Sequence, residues 1–331
     1  MMNNEHINQA DKRARRIKRH ARELGFDLVG IVPAEPLDEE RTRLEEWLAR
    51  GFHGEMRWLA ANPDYPDNIE RRTNPRVHFP AARSVVVVAL NYFTSHEHTN
   101  DSASGKISRY AWGDDYHDVV GEKLRRLLAW IKEQWAETEG KVCCDIQPMM
   151  DKAWAVRAGL GWLGKHSNLI TRTHGSWVFI GELLLNLDLA FDTAQEPDHC
   201  GRCTLCIEAC PTDAIAEARV VDATRCISYA TIESRADELP AHIAANQSGW
   251  LYGCDICQDV CPWNRFEQTT TETRFEPREN ETSLELNALL QQTPEEYAAR
   301  FRRSPMKRAK LAGLQRNARA LCELPVKNTV L

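Results

Sequence analysis

Eight cysteines between Cys200 and Cys261 constrain this chain more than any other feature. They read Cys200-x2-Cys203-x2-Cys206-x3-Cys210-Pro211, then Cys226, then Cys254-x2-Cys257-x3-Cys261-Pro262. Runs of this type follow the bacterial two-cluster iron–sulfur spacing, in which the cysteine before proline ligates the other cluster. Cys200, Cys203, Cys206 and Cys261 are therefore expected to hold one [4Fe–4S] cluster. Cys210, Cys226, Cys254 and Cys257 are expected to hold the second, with Cys226 filling the first place that the second run lacks. The competing readings are zinc and a disulfide framework. Zinc favours isolated C-x2-C pairs over a triplet followed by C-P. A chain built round two such clusters moves electrons one at a time.

The chain has 331 residues, is 43% hydrophobic and carries a net charge of −6. That is enough for two domains, or one with an insert, and it excludes a general affinity for nucleic acid. The N-terminus is polar, with no signal-peptide pattern. The longest apolar stretch, Trp177–Leu185, is interrupted by Gly181 and Glu182 and is too short to cross a membrane. Cysteines that must stay reduced point to the cytoplasm. Cys143 and Cys144 fall in an apolar strand and read as inert core.

Periodicity predicts helices over 10–24, 41–49, 55–60, 117–135, 151–158, 284–290 and 294–321. It predicts strands over 27–32, 84–90, 141–146 and 176–187. Ser84–Leu90 (SVVVVAL) reads as a strand buried on both faces. The expected architecture is an α/β (α+β) domain over 1–195, a ferredoxin-like two-cluster module over 196–268 and a helical C-terminal region over 269–331.

Several motifs tempt. Gly159-x-Gly161-x-x-Gly164 matches a dinucleotide fingerprint as a string, and with Lys165 it nearly matches a P-loop. Both need a strand before and a helix after, whereas 151–158 reads as helix and His166 stands where a Ser or Thr would hold magnesium. The composition of GLGWLGKHSN suits close approach to a large planar ligand. Asp115-Tyr116-His117 resembles the start of a base-off cobalamin motif, but Asp115 is better read as the cap of the helix that follows. Two basic stretches, Lys12–Arg22 and Arg300–Arg319, suggest an anionic partner or a solvated face. The second, with Ser304–Arg308 and Arg316, leans towards phosphate.

Arg109-Tyr110-Ala111, Asp145-x2-Pro148, AGLGWLGKHSN (158–168), RCISY (225–229), YGCDICQDVCPWN (252–264) and KRAKLAGLQRNARAL (307–321) together resemble the epoxyqueuosine reductases over nearly the whole chain. His53-Gly54-Glu55-Met56 belongs to the same likeness. The resemblance implies a nitroreductase-like, cobalamin-binding domain, two [4Fe–4S] clusters and HEAT-like C-terminal helices. It implies reduction of epoxyqueuosine to queuosine at the wobble position of tRNA, the last step of queuosine biosynthesis. A monomer fed by an external low-potential donor of flavodoxin or ferredoxin type is expected. The resemblance places cobalamin among Trp58, Arg109, Asp145, Asn168, Leu169, Ser228 and Asp255, with Ser228 and Asp255 bringing the second cluster beside the corrin. Asp145, at the end of an apolar strand where desolvation favours the neutral acid, is the expected proton donor. Asp151 is expected to cap the next helix. The chain looks some tens of residues shorter than the family. Two other functions compete: a reductive dehalogenase-like cobalamin reductase of a small molecule, and a ferredoxin-type electron carrier without catalysis.

Overall fold

The computed structural model describes residues 4–99, 101–193, 196–278 and 281–323. Seven strands position the site: β1 (Leu28–Pro33), β2 (Ser84–Asn91), β3 (Ser104–Ile107), β4 (Gly140–Cys143), β5 (Val178–Leu185), β6 (Trp250–Tyr252) and β7 (Ser283–Glu285). The helices that matter are α1 (Asn4–Glu23), α2 (Tyr116–Gln134), α3 (Asp151–Arg157), α4 (Leu205–Glu208), α5 (Ile227–Ile232), α6 (Ile256–Asp259) and α7 (Lys310–Glu323).

The main sheet runs β1-β2-β5-β4 with every pair antiparallel. Strands and helices alternate in the sequence, yet the sheet is not a parallel one, so this half of the molecule is α+β. All eight residues of β2 are buried, as its apolar run predicts, and the two faces separate by period two. Val86, Val88 and Leu90 pack under α1 and α2 with Ile17, Leu124 and Leu127. Val85, Val87 and Ala89 pack under α3 with Trp154 and Ala155. A Cβ at Gly30 would stand 2.3 Å from the Ala158 carbonyl, so only glycine lets the end of α3 lie this close to β1.

A smaller sheet stitches the chain together. β3 pairs with β6 in parallel and with β7 antiparallel, taking one strand from each of the three expected segments. Its apolar face and the C-terminal helices form one core, with Tyr252, Leu286, Phe301, Met306 and Leu314 buried together.

Four expected elements come out differently. The predicted strand over 141–146 stops at Cys143, and Asp145 takes φ +53, a left-handed conformation that a short polar residue tolerates. The predicted helix over 284–290 starts at Leu286, because Ser283–Glu285 is β7 and the Glu285 carboxylate caps the turn. The long C-terminal helix is broken. Thr293 opens Pro294–Arg300 with a capping box, a 3-10 turn covers Pro305–Ala309, and α7 follows. Only a single 3-10 turn, Arg57–Leu59, forms where a helix over 55–60 was expected. Among the described residues no helix is long and apolar enough to cross a membrane.

Candidate active site

The cysteine runs fold as two short helices, α4 and α6, each of four residues, flanked by loops that carry the thiols. The thiols fall into two neighbourhoods. Burial pushes Cys206 up to about 11, and Cys261, Cys200 and Cys203 around it add to that. Cys257 is raised by burial, then by Cys226, with Cys206 and Cys210 also in reach. Burial also raises Cys254, with Cys226 and Cys257 beside it. Crowded thiols resist becoming thiolates unless a metal takes the charge, so this donor set fits two cubanes with the ligand sets that the spacing gives. The nearness of Cys206 to Cys257 brings the two sets side by side.

A half-open cavity of about 510 Å³ lies between the cluster module and the main sheet. Cys210, Cys226, Cys254 and Cys257 of the second set line it, together with Asp145, Asn168, Leu169, Ser228 and Asp255. Five of the seven residues that the resemblance assigns to cobalamin thus meet at one cavity. Its wall carries enclosed polar atoms without hydrogen-bond partners among the described residues: His166 Nε2, Ser167 Oγ and Asp151 Oδ1. A wall that mixes apolar faces such as Phe179 and Leu169 with unpartnered polar atoms suits a large ligand with an amide rim.

Trp58 and Arg109 lie elsewhere. Trp58 is exposed, with the Arg308 guanidinium 5.0 Å over its ring. Arg109 donates to the carbonyls of Thr94 and His96 and packs over Phe93, Trp112 and Trp177. It lines a second hollow of about 600 Å³ beside Cys261, on the first cluster's side. Asp255 is buried, and its two oxygens accept from Ser108 Oγ (2.5 Å) and the Arg109 amide (2.8 Å), so it fixes the 108–109 turn at the cavity wall. Asn168 Oδ1 accepts from Lys152 Nζ at 2.8 Å.

The chemistry gathers round Asp145. Its half-exposed carboxylate accepts a hydrogen bond from the Tyr116 hydroxyl and faces His117 Nε2 at 3.5 Å. His117 Nδ1 meets Asp115 Oδ1 at 2.6 Å, and Asp115 also caps α2 by accepting from the His117 amide. Burial alone would lower His117, but hydrogen bonds to Asp115 and Asp145 outweigh it and push it up to about 9. Burial likewise raises Asp145, and hydrogen bonds from His117 and Tyr116 overcome it, leaving the carboxyl below its usual range. The expectation of a neutral Asp145 is therefore corrected. The two shifts favour a proton on His117 and an ionised Asp145. In the sequence Tyr116 and His117 resemble part of a cobalt-ligand motif, and nothing in that spacing points to their place beside Asp145. The observed pair distances show what the spacing hid, that the start of α2 faces the 144–148 turn.

The expectation for Asp151 is also corrected. Its side chain makes no cap, the N-cap position being Met150. It turns inwards to line the cavity. Beside it, Lys152 Nζ donates to the Ser167 carbonyl at 2.9 Å, with Asp145, Cys257, Asp151 and Cys226 as its charged neighbours.

GLGWLGKHSN is a hairpin rather than a phosphate loop. Trp162–Leu163 pairs with Leu169–Ile170. A Cβ at Gly161 would fall 2.0 Å from the Ile170 carbonyl, so this glycine serves the hairpin's own closure. The ligand-facing part is the tip, His166–Leu169, while Lys165 Nζ donates to the Gly201 and Cys203 carbonyls (2.8 Å each) and ties the hairpin to the first cluster loop.

The basic stretches separate. In α1, Arg15 and Arg19 pair with Asp11 and Glu23, Lys18 meets Asp192, and Arg16 stacks on Trp130 and Trp135. In the second stretch Arg316 is buried, donating to the carbonyls of Ala230, Ser234 and Ala236, which removes it from any phosphate site. Arg302, Lys307, Lys310 and Arg319 are exposed, with no ion-pair partner among the described residues. Arg308 pairs with Glu233 and lies within electrostatic reach of Asp145.

Fold and site define an iron–sulfur oxidoreductase in which Cys210, Cys226, Cys254 and Cys257 border a cavity equipped with proton-bearing groups. Residues 72–146 match the family described as epoxyqueuosine reductase QueG, DUF1730, and residues 199–264 match the 4Fe-4S double cluster binding domain. An epoxyqueuosine reductase of Synechocystis sp. is 48% identical over 88% of this chain and 99% of its own. One of Cyclobacterium marinum is 41% identical over 93% and 96%. An epoxyqueuosine reductase solved with an epoxyqueuosine-modified tyrosine tRNA stem loop is 30% identical, with a TM-score of 0.84 over 93% of this chain and 80% of that one. A Bacillus subtilis epoxyqueuosine reductase, solved with its catalytic aspartate loop swung out of the active site, is 29% identical with a TM-score of 0.84. The chain belongs to the epoxyqueuosine reductase family, and its cofactors are cobalamin and two [4Fe–4S] clusters. The expected shortness is relative: it holds against the solved structures and not against the Synechocystis relative.

Proposed function

We propose that this protein reduces epoxyqueuosine to queuosine at the wobble position of tRNA, completing queuosine biosynthesis. The observation that carries the reading is that second-cluster cysteines and Asp145 line the same cavity. Bound cobalamin would supply the reduced metal that passes electrons to the epoxide carbon. Asn168, Leu169, Ser228 and the His166–Ser167 tip would hold it, with Cys210, Cys226, Cys254 and Cys257 next to it and Cys200, Cys203, Cys206 and Cys261 on the donor side. Trp58 and Arg109 would act from the rim and from the first-cluster side.

Opening the epoxide leaves an alkoxide that must be protonated. Asp145 is placed to pass on that proton, with the His117 imidazolium as the store behind it and Tyr116 fixing the carboxylate. The left-handed turn at Asp145 puts the side chain on a loop, and the related Bacillus subtilis enzyme, solved with that kind of loop displaced, supports a movable acid. Arg302, Lys307, Lys310 and Arg319 would meet tRNA phosphates, and sequence recognition would fall to the cavity mouth. A low-potential donor of flavodoxin or ferredoxin type would dock near the first cluster, and the protein would work as a cytoplasmic monomer. A bare electron carrier would leave the Tyr116–His117–Asp145 group without a task.

Anaerobic incubation with epoxyqueuosine-containing tRNA, cobalamin and a low-potential reductant, followed by nucleoside analysis, tests the proposal. Queuosine is the expected product. Unchanged nucleoside from fully metallated protein would overturn it.

A further inference from the structure

Converting an epoxide to an alkene and water takes two electrons and two protons. The His117–Asp145 pair accounts for one proton. A second acidic pair lies deeper in the same wall, and the mechanism above does not use it.

Glu182 sits in β5, in the middle of the main sheet, opposite Val87 of β2 and Cys143 of β4. It is fully buried, and neither carboxyl oxygen finds a donor among the described residues. Asp151 Oδ1 is enclosed in the same way. The two side chains lie within hydrogen-bond reach of each other, and Asp151 also lines the cavity. Two ionised carboxylates can only accept, and like charges side by side out of water repel. One shared proton turns that clash into a hydrogen bond. The charged and titratable groups facing the pair are Asp145, Lys152 and Arg72, with the Cys143 and Cys144 thiols behind. Burial, then Asp145, pushes Asp151 up to about 7, and burial and Asp151 hold Glu182 well above its usual range.

We propose that Asp151 and Glu182 form a shared-proton pair that delivers the second proton of turnover into the cavity. This rests on the reading above. After the first carbon–oxygen bond has opened and its alkoxide has been protonated, the electron pair left on carbon closes the double bond as the second carbon–oxygen bond breaks. The departing hydroxide takes a proton from Asp151, which Glu182 refills, and leaves as water. The electrons come from the clusters, and the pair regains its proton from solvent between turnovers.

The test uses holoenzyme bearing Glu182→Gln or Asp151→Asn, both close to isosteric. Infrared spectra of the wild type should show a buried, deuterium-sensitive protonated-carboxyl stretch at neutral pH that both variants lose. Their kcat should fall on the order of 10²-fold, as loss of a general acid does, with KM for the modified tRNA and the cluster spectra unchanged. The wild-type rate should fall as pH rises past about 7, where Asp151 gives up its proton, and Asp151→Asn should flatten that limb. Persistence of the infrared component in both variants overturns the inference, as does kcat within about twofold of wild type. If wild type itself leaves the nucleoside unchanged, the substrate reading fails instead, and the infrared arm still judges the pair.

Discussion

The main sheet and the cluster module solve the same problem by opposite means. β2 and β5 are eight residues each and bury almost every side chain between two helical layers. The module's cysteine runs rely on helices of four residues. Its buried apolar residues are few: Ile227, Ala230, Leu239, Ile243 and Trp250 form one small cluster, and Cys261 packs against Trp162 and Ile170 of the neighbouring hairpin. Helices of that length do not persist unaided, and so few apolar contacts cannot offset the entropy of ordering the loops. The sheet stands on hydrophobic burial, and the module stands on its iron. Stability and electron transfer are thus one property in the second region and separate properties in the first.

Removing the clusters should break the comparison most visibly. Chelation of iron from the anaerobic holoenzyme should abolish amide-exchange protection across 200–261 while β2 and β5 stay protected. Equal loss in both would show that the sheet also depends on metal. Asp145→Asn comes next, since it touches chemistry and neither scaffold. It should lower kcat by roughly 10²–10⁴-fold and leave both cluster absorption and cobalamin binding unchanged, read by single-turnover nucleoside analysis. Normal turnover would remove Asp145 from the mechanism. Leu183→Ala, at a fully buried site in β5, should cost about 2–5 kcal/mol by cavity formation in denaturant melts. Its cluster spectrum should match wild type, and a bleached spectrum would mean that the two regions fold as one.

The sequence showed most where one physical signal dominated. Cysteine spacing announced the two-cluster domain because cubane geometry tolerates few alternatives. The β2 run and the α2 stripe were plain because period 2 and period 3.6 each bury one kind of face. Strand direction was not legible, since β2 pairs with β5 some ninety residues away and a buried strand reads alike in either sense. The acid–base site was half legible. Asp145 stood out, but its proton partner His117 arrives from another helix, and Glu182 looked like an interruption in an apolar strand. Arg316 misled for a related reason: a basic residue in a basic stretch gives no sign that it points at backbone carbonyls in the interior.

Lys152 holds one further consequence. Its amino group is pinned by the Ser167 carbonyl and Asn168, within electrostatic reach of Cys226, Cys257, Asp145 and Asp151. A fixed counter-ion beside a redox centre favours the more negative oxidation level. A cubane held by Cys226 and Cys257 would find that compensation already in place when an electron arrives, so one amino group would help to set the potential of the cavity-side cluster.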